Sequence, residues 1–252
     1  MKIMSFNLRF DCQSDGINAF SNRILRVLEV IEQQSPDIIG FQEVTDSMRK
    51  TMREKLQGYT TVGCGRDRNY HGEAMLVAFK TELFELIELR SVWLSETPNV
   101  PGTKYGYDHS GCPRMYSALY LKHENVEKPF WFINTHLDHE GKKGRELEAE
   151  QLCRELGALD GKFILTGDFN ATPETSEIKM ITEKLSYRGC VDCTKDLGPT
   201  FHNFGKWTGE REIKIDYIFT DAVCKNAYRV EDIPVNGQYY SDHNAVCAEI
   251  EM

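Results

Sequence analysis

Short apolar runs rich in β-branched and aromatic residues recur along the whole chain. They are Met4 to Phe10, Ile38 to Phe41, Ala74 to Phe79, Val92 to Leu94, Ala118 to Leu121, Phe130 to Leu137, Phe163 to Thr166, Ile215 to Phe219 and Ala245 to Ile250. Runs of this length read as strands, and that many need more than one sheet or a barrel. Between them the period changes to that of a helix. Phe20 to Gln34 carries Ile24, Leu25, Leu28 and Ile31 on one stripe, and Thr45 to Leu56 sets Met48 and Met52 four apart. Lys143 to Leu159 presents Leu147, Leu152 and Leu156, while Pro173 to Leu185 opens on Thr172, Pro173 and Glu174 in the manner of a helix start. No linker rich in Gly, Pro and Ser interrupts the alternation, so residues 1–252 are expected to form a single domain. The longest irregular stretches, Glu96 to Arg114 and Leu197 to Glu212, are the expected substrate rim.

Polar residues collect where apolar strands end. Alternation over Phe130 to Asp138 puts Asn134, His136 and Asp138 on one side and Trp131, Ile133 and Leu137 on the other. Phe163 to Asn170 repeats the design, ending in Asp168 and Asn170. Asn7 follows Met4 and Phe6, and Glu43 follows Ile38-Ile39-Gly40-Phe41-Gln42. An acid at the end of a buried strand is costly unless it meets a cation or hydrogen-bond donors. Asp216 opens one late strand, and Asp242-His243 precedes the last. Taken singly, each pair is explained as well by turn chemistry.

Together they supply what phosphoester hydrolysis requires. The oxygen donors Glu43, Asp242 and Asn7 suit Mg²⁺ or Mn²⁺ better than zinc. Asp168, with Asn170 close by, can orient an attacking water, and His243 can donate to phosphoryl oxygens with Asp216 holding its tautomer.

Composition narrows the partners. With 40% hydrophobic and 27% charged residues the chain reads as globular, and its net charge of −9 repels long polyanions. MKIMSFNLRF lacks the apolar core of a signal peptide, and no apolar stretch is long enough to span a bilayer, so a cytoplasmic protein that binds no membrane is expected. No obligate protein partner is indicated. Eight scattered cysteines are expected to be reduced; only Cys190 and Cys193 have the spacing of a metal or redox half-site.

Six motifs, in order, resemble those of the endonuclease/exonuclease/phosphatase superfamily: Ser5-Phe6-Asn7-Leu8-Arg9, Gln42-Glu43, Asn134-Thr135-His136-Leu137, Gly167-Asp168-Phe169-Asn170, Ile215-Asp216-Tyr217-Ile218 and Ser241-Asp242-His243. Trp93-Leu94-Ser95-Glu96-Thr97-Pro98 and Thr200-Phe201-His202 are similar to a bacterial group related to the deadenylase-type nuclease domain. The resemblance implies a four-layer α/β sandwich, with two mostly antiparallel sheets packed face to face and helices outside. It also implies roles: Glu43, Asn7 and Asp242 for the metal, Asp168 for the water, Asn170 and His136 for the phosphate, and Asp216 with His243 as a dyad. Glu73 matches an acid that orients the counterpart of His136, with a solvated edge charge as the alternative. Arg114 could contact a second phosphate or sugar, a surface arginine being the other reading.

The expected activity is metal-assisted, in-line hydrolysis of a phosphodiester, as by a nuclease or nucleotide phosphodiesterase. The partner would be a nucleotide or single-stranded nucleic acid. A small-molecule phosphatase on the same core and a catalytically silent phosphate-binding protein are the rival readings.

Overall fold

A computed structural model describes residues 1–252. In chain order the elements are β1 (Lys2–Asn7), α1 (Phe20–Gln34), β2 (Ile38–Val44), α2 (Asp46–Lys55), β3 (Tyr59–Val62), β4 (Ala74–Lys80), β5 (Phe84–Trp93) and β6 (Met115–His123). They continue with β7 (Phe130–His136), α3 (Lys142–Gly157), β8 (Phe163–Asp168), α4 (Ser176–Lys184), β9 (Val191–Asp192), β10 (Asp216–Thr220), β11 (Val223–Arg229) and β12 (Val246–Glu251). One sheet has the order β11-β12-β1-β2-β4-β3 and the other β5-β6-β7-β8-β10-β9. Each is built around one parallel pair, β1 with β2 and β7 with β8, and every other pairing is antiparallel.

Side-chain alternation sorts the layers. In β1, Ile3 faces the second sheet while Met4 and Phe6 face the helices; in β8, Ile164 faces the first sheet while Phe163 and Leu165 face outward. Ile3, Ile38, Val77, Phe132, Ile164 and Ile218 fill the space between the sheets. α1 and α2 cover one outer face through Val27, Ile31, Met48 and Met52, and α3 and α4 cover the other through Leu152, Leu156, Ile178 and Ile181. This is the expected four-layer α/β sandwich.

The inward face changes character along the strands. Beyond the apolar layer lies a polar one. Asn134 donates to the carbonyls of Phe41 (2.7 Å) and Leu76 (3.2 Å) and accepts from Gln42 (2.7 Å) and Thr166 (3.2 Å). Only glycine fits at position 40, where a Cβ would lie 2.3 Å from Thr166 Oγ1.

The parallel pairs decide where the chemistry gathers. β1, β7 and β8 finish with Asn7, His136 and Asp168, Glu43 is the last residue but one of β2, and Asp216 starts β10 directly opposite Asp168. Asp242 and His243 precede β12, which runs antiparallel to β1. All of these side chains therefore meet on one rim of the sandwich, as ligand sites do at the carboxyl ends of parallel strands.

Several sequence expectations need correction. β1 stops at Asn7, with Leu8 to Phe10 already in a loop, and α4 begins at Ser176 after a turn closed by Thr175 N–H on the Thr172 carbonyl (3.0 Å). β5 spans ten residues where only Val92 to Leu94 stood out, and β3, β9 and β11 carried no clear signal. Cys190 packs in the helix-side core while Cys193 packs between the sheets, so the pair builds no joint site. No helix is long and apolar enough to cross a membrane.

Candidate active site

Asp168 is the hub. One carboxylate oxygen accepts from Asn7 Nδ2 (2.9 Å) and lies 3.6 Å from His136 Nε2 and 3.8 Å from His243 Nε2. The other accepts the Asn170 backbone N–H at 2.9 Å, a contact made possible by the left-handed backbone of Asn170 (φ 47°). Burial first, and then the neighbouring charge of Asp216, push the Asp168 carboxyl up to about 7. It is thereby poised to exchange a proton near neutrality.

Asn170 Nδ2 donates to the Leu137 carbonyl (3.0 Å), which fixes its amide orientation, and also reaches His136 Nε2 (3.0 Å). His136 is therefore read as a neutral imidazole that accepts at Nε2 and carries its proton on Nδ1, a buried atom with no partner. Burial, followed by the charge of Arg114, holds its pKa well below the ordinary histidine value.

His243 is the opposite case. Burial works against its charged form, but Asp216, accepting from Nδ1 at 2.9 Å, and then the charges of Asp168 and Asp242 together outweigh it and raise the imidazolium to about 10. Two buried histidines of one rim thus hold different charges. Thr200 braces Asp216: its hydroxyl oxygen accepts the N–H groups of Ile215 (3.1 Å) and Asp216 (3.2 Å).

Glu43 departs from the two-residue alternation. By period it belongs with Ile39 and Phe41 on the helix side, but the β2 pairing with β4 slips between Phe41 and Val44 and Glu43 takes a φ of 62°. Such a bulge re-aims a side chain. Its two oxygens accept from Asn7 Nδ2 (3.1 Å) and the Phe10 N–H (3.0 Å), while Asn7 Oδ1 accepts from the Arg9 N–H (2.8 Å). Asn7 therefore turns its nitrogen, not the expected oxygen, towards the carboxylates. Asp242 stands close enough to Glu43 to be affected by its charge; burial raises its pKa, and Arg9 lies 3.8 Å away.

A hard divalent cation fits this donor set. Glu43 and Asp168 offer carboxylate oxygens within 4.8 Å of each other, Asp242 stands beside Glu43, Asp216 keeps one buried carboxylate oxygen without a partner, and the available donors are oxygens. His109, Asp138 and Glu148 meet the same distance test. There, however, the groups already satisfy one another: His109 bonds Glu148 at 2.7 Å, and Asp138 accepts from Ser110, Glu140 and Gly141. That cluster pins the 96–114 loop onto the start of α3.

Three expected site residues make contacts other than those expected: Asn134 lies below the site, while Glu73 and Arg114 adjoin it, with burial and then the charge of Glu43 raising the Glu73 carboxyl and the charge of Arg114 acting on His136. Asn134 is fully buried in the polar layer between the sheets, one step below His136 along β7, with all its bonds internal. Glu73 pairs with Arg66 at 2.8 Å and does not orient His136. Arg114 is no surface arginine: it is 3% exposed, bonds His139 Nδ1 at 2.8 Å and lies 3.6 Å from Asp138. Of the two expected rims, the 197–212 loop lies against the dyad, with Phe201 4.9 Å from the His243 ring and Trp207 edge-on to Phe201 at 5.0 Å. Thr200, Ser241 and Arg9 fall within the quoted motifs, but no role was expected of them.

The profile of the Endonuclease/Exonuclease/phosphatase family matches residues 4–243. The chain is similar to an endonuclease/exonuclease/phosphatase of Bacteroides vulgatus, with 29% identity, a TM-score of 0.91 and coverage of 100% of this chain and 98% of that one. It is also similar to the mannosyl-6-phosphatase Bt3783 of Bacteroides thetaiotaomicron, with 28% identity, a TM-score of 0.86 and full coverage of both chains. Protein L388 of Acanthamoeba polyphaga mimivirus is 26% identical, over 96% of this chain and 97% of its own length.

Proposed function

The chain belongs to the Endonuclease/Exonuclease/phosphatase family, and from that premise we propose that it is a divalent-metal-dependent phosphoesterase acting on a small phosphorylated substrate. The arrangement around Asp168 carries the reading: a buried carboxyl raised to about 7 sits between neutral His136 and charged His243. Titratable neighbours with pKa values driven apart are the usual basis for dividing acid and base roles.

Asp168 takes the proton of the attacking water, and the Asn170 N–H fixes the carboxylate that does so. His243, kept protonated by Asp216, donates to the phosphoryl oxygens as charge accumulates on them. Asn7 Nδ2 bridges Glu43 and Asp168 and keeps the metal and water sides in register. Glu43 and Asp242 would hold Mg²⁺ or Mn²⁺, which supplies polarisation of the phosphoryl group and stabilisation of the leaving oxygen.

Within this class a sugar-phosphate monoester is supported by the full-length likeness to the mannosyl-6-phosphatase and by the net charge of −9. A nucleotide or single-stranded phosphodiester is the second reading, favoured by Phe201 and Trp207 beside His243, where a base could stack. A silent binding protein is disfavoured, because phosphate binding alone requires no charged His243 opposite a proton-accepting Asp168. A panel of hexose phosphates, nucleotides, dinucleotides and single-stranded oligonucleotides in Mg²⁺ and Mn²⁺ separates the three. Turnover of monoesters is expected. Turnover of diesters alone transfers the assignment to the second reading, and turnover of nothing removes the enzymatic one.

A further inference from the structure

Arg23, in the first turn of α1, is fully buried, and no carboxylate pairs with it. Its guanidinium is satisfied by backbone carbonyls: Nε donates to Asn18 (2.7 Å), Nη1 to Tyr240 (2.6 Å), and Nη2 to Leu8 (2.5 Å) and Arg9 (2.8 Å). A buried cation is among the costliest groups a core can hold, and an apolar residue would serve packing better.

The carbonyls it grips belong to the two segments that deliver the site. Leu8 and Arg9 follow Asn7 in a turn where Arg9 has a φ of 51°; the Arg9 N–H goes to Asn7 Oδ1 and the Phe10 N–H to Glu43. Tyr240 precedes Ser241, whose hydroxyl donates to the Asn7 carbonyl (2.7 Å), and then Asp242 and His243. Of the charges that act on Arg23, that of Asp242 attracts it most strongly, and Glu43 also contributes.

We propose that Arg23 is a positioning residue: it clamps the Leu8–Arg9 turn to the Tyr240 turn, so that Asn7, together with Glu43 of β2 held by the Phe10 N–H, faces Asp242, with a fixed positive charge behind them. The planar fork matters as much as the charge, because only a guanidinium can reach carbonyls on both segments at once. The inference rests on the metal-dependent reading above.

The test is direct Mn²⁺ binding by the full chain, followed by the loss of the free-ion signal in electron paramagnetic resonance. Circular dichroism melts report folding alongside. Arg23→Met is expected to bind Mn²⁺ ~10–100-fold more weakly, the range usual when a group supporting metal ligands is removed. Val27→Ala, one turn further along α1 in the apolar core, is destabilised by packing alone and should keep wild-type affinity. Arg23→Lys retains charge without the fork and should fall between Arg23→Met and wild type; it decides the matter should Arg23→Met fail to fold. Wild-type affinity in a folded Arg23→Met, or in Arg23→Lys when the former does not fold, overturns the proposal while the metal reading stands. Equal weakening in Val27→Ala reduces Arg23 to a structural residue and overturns it too. Failure of the wild type to bind Mn²⁺ removes the metal reading and this inference with it.

Discussion

Replacing Asp216 by Asn removes a charge while keeping the shape, and so isolates what that charge does to its neighbours. Asp216 lies 2.9 Å from His243 Nδ1; at an effective dielectric of ~20 the attraction amounts to ~6 kcal/mol. Part of this is spent against burial, leaving the imidazolium at about 10 from an ordinary 6.5. Asp216 also helps to raise Asp168 to about 7. In the wild type, the single-turnover rate at saturating Mg²⁺ should rise as Asp168 loses its proton near pH 7 and fall as His243 loses its own near pH 10. In Asp216→Asn both groups lose the negative charge that raised them, so both limbs move to lower pH. The alkaline limb should move by at least ~2 pH units, equivalent to ~2.7 kcal/mol. The maximal rate should drop by ~10²-fold or more, as expected when a preorganised charge partner is lost. An alkaline limb still near pH 10 in the variant would refute the claim that Asp216 keeps His243 charged.

Two further outcomes concern the scaffold. Asp138 is fully buried, and although burial opposes its charge, hydrogen bonds from Ser110 and Gly141 hold its carboxyl down at about 2. A depressed carboxyl stabilises the fold above its unfolded value near 3.8, and that contribution is lost as pH falls through about 2. Urea titrations of Asp138→Asn should therefore show a deficit of ~2.5 kcal/mol at pH 6 that closes by pH 2; a deficit independent of pH contradicts this. Asn134→Leu removes four buried hydrogen bonds, those to the Phe41 and Leu76 carbonyls and those from Gln42 and Thr166, at ~1 kcal/mol each. It should lose at least ~3 kcal/mol of stability while retaining the activity of the fraction that stays folded. A large rate loss per folded molecule would return Asn134 to the site.

Strand ends were the legible feature of this sequence. Periodicity located β7 and β8, and the polar residues that close them, because their buried faces are uniformly apolar until the rim. The same rule misled at Asn134, since alternation gives the side of a sheet and not the depth along it. It would also have turned Glu43 away from the rim, had the bulge in β2 not reversed it. Edge strands were harder to see: β5 presents Glu85, Glu88 and Arg90 outward and reads as polar. Pairings made by the folded loops left no trace. Nothing in the spacing of Arg114 and Asp138, of Glu73 and Arg66, or of Arg23 and Tyr240 announces their contact.

The proposed function has water activated at Asp168 attack phosphorus in a metal-dependent reaction. Hydrolysis of a hexose phosphate, or of whichever phosphoester the panel identifies, should be run in H₂¹⁸O with Mg²⁺ and the phosphoryl product analysed by mass spectrometry. One ¹⁸O is expected in the phosphoryl product, with no reaction after chelation and a loss of ~10³-fold or more in Asp168→Asn, whose amide can no longer accept the proton. Label in the alcohol product, or an Asp168→Asn enzyme as fast as the wild type, would contradict it.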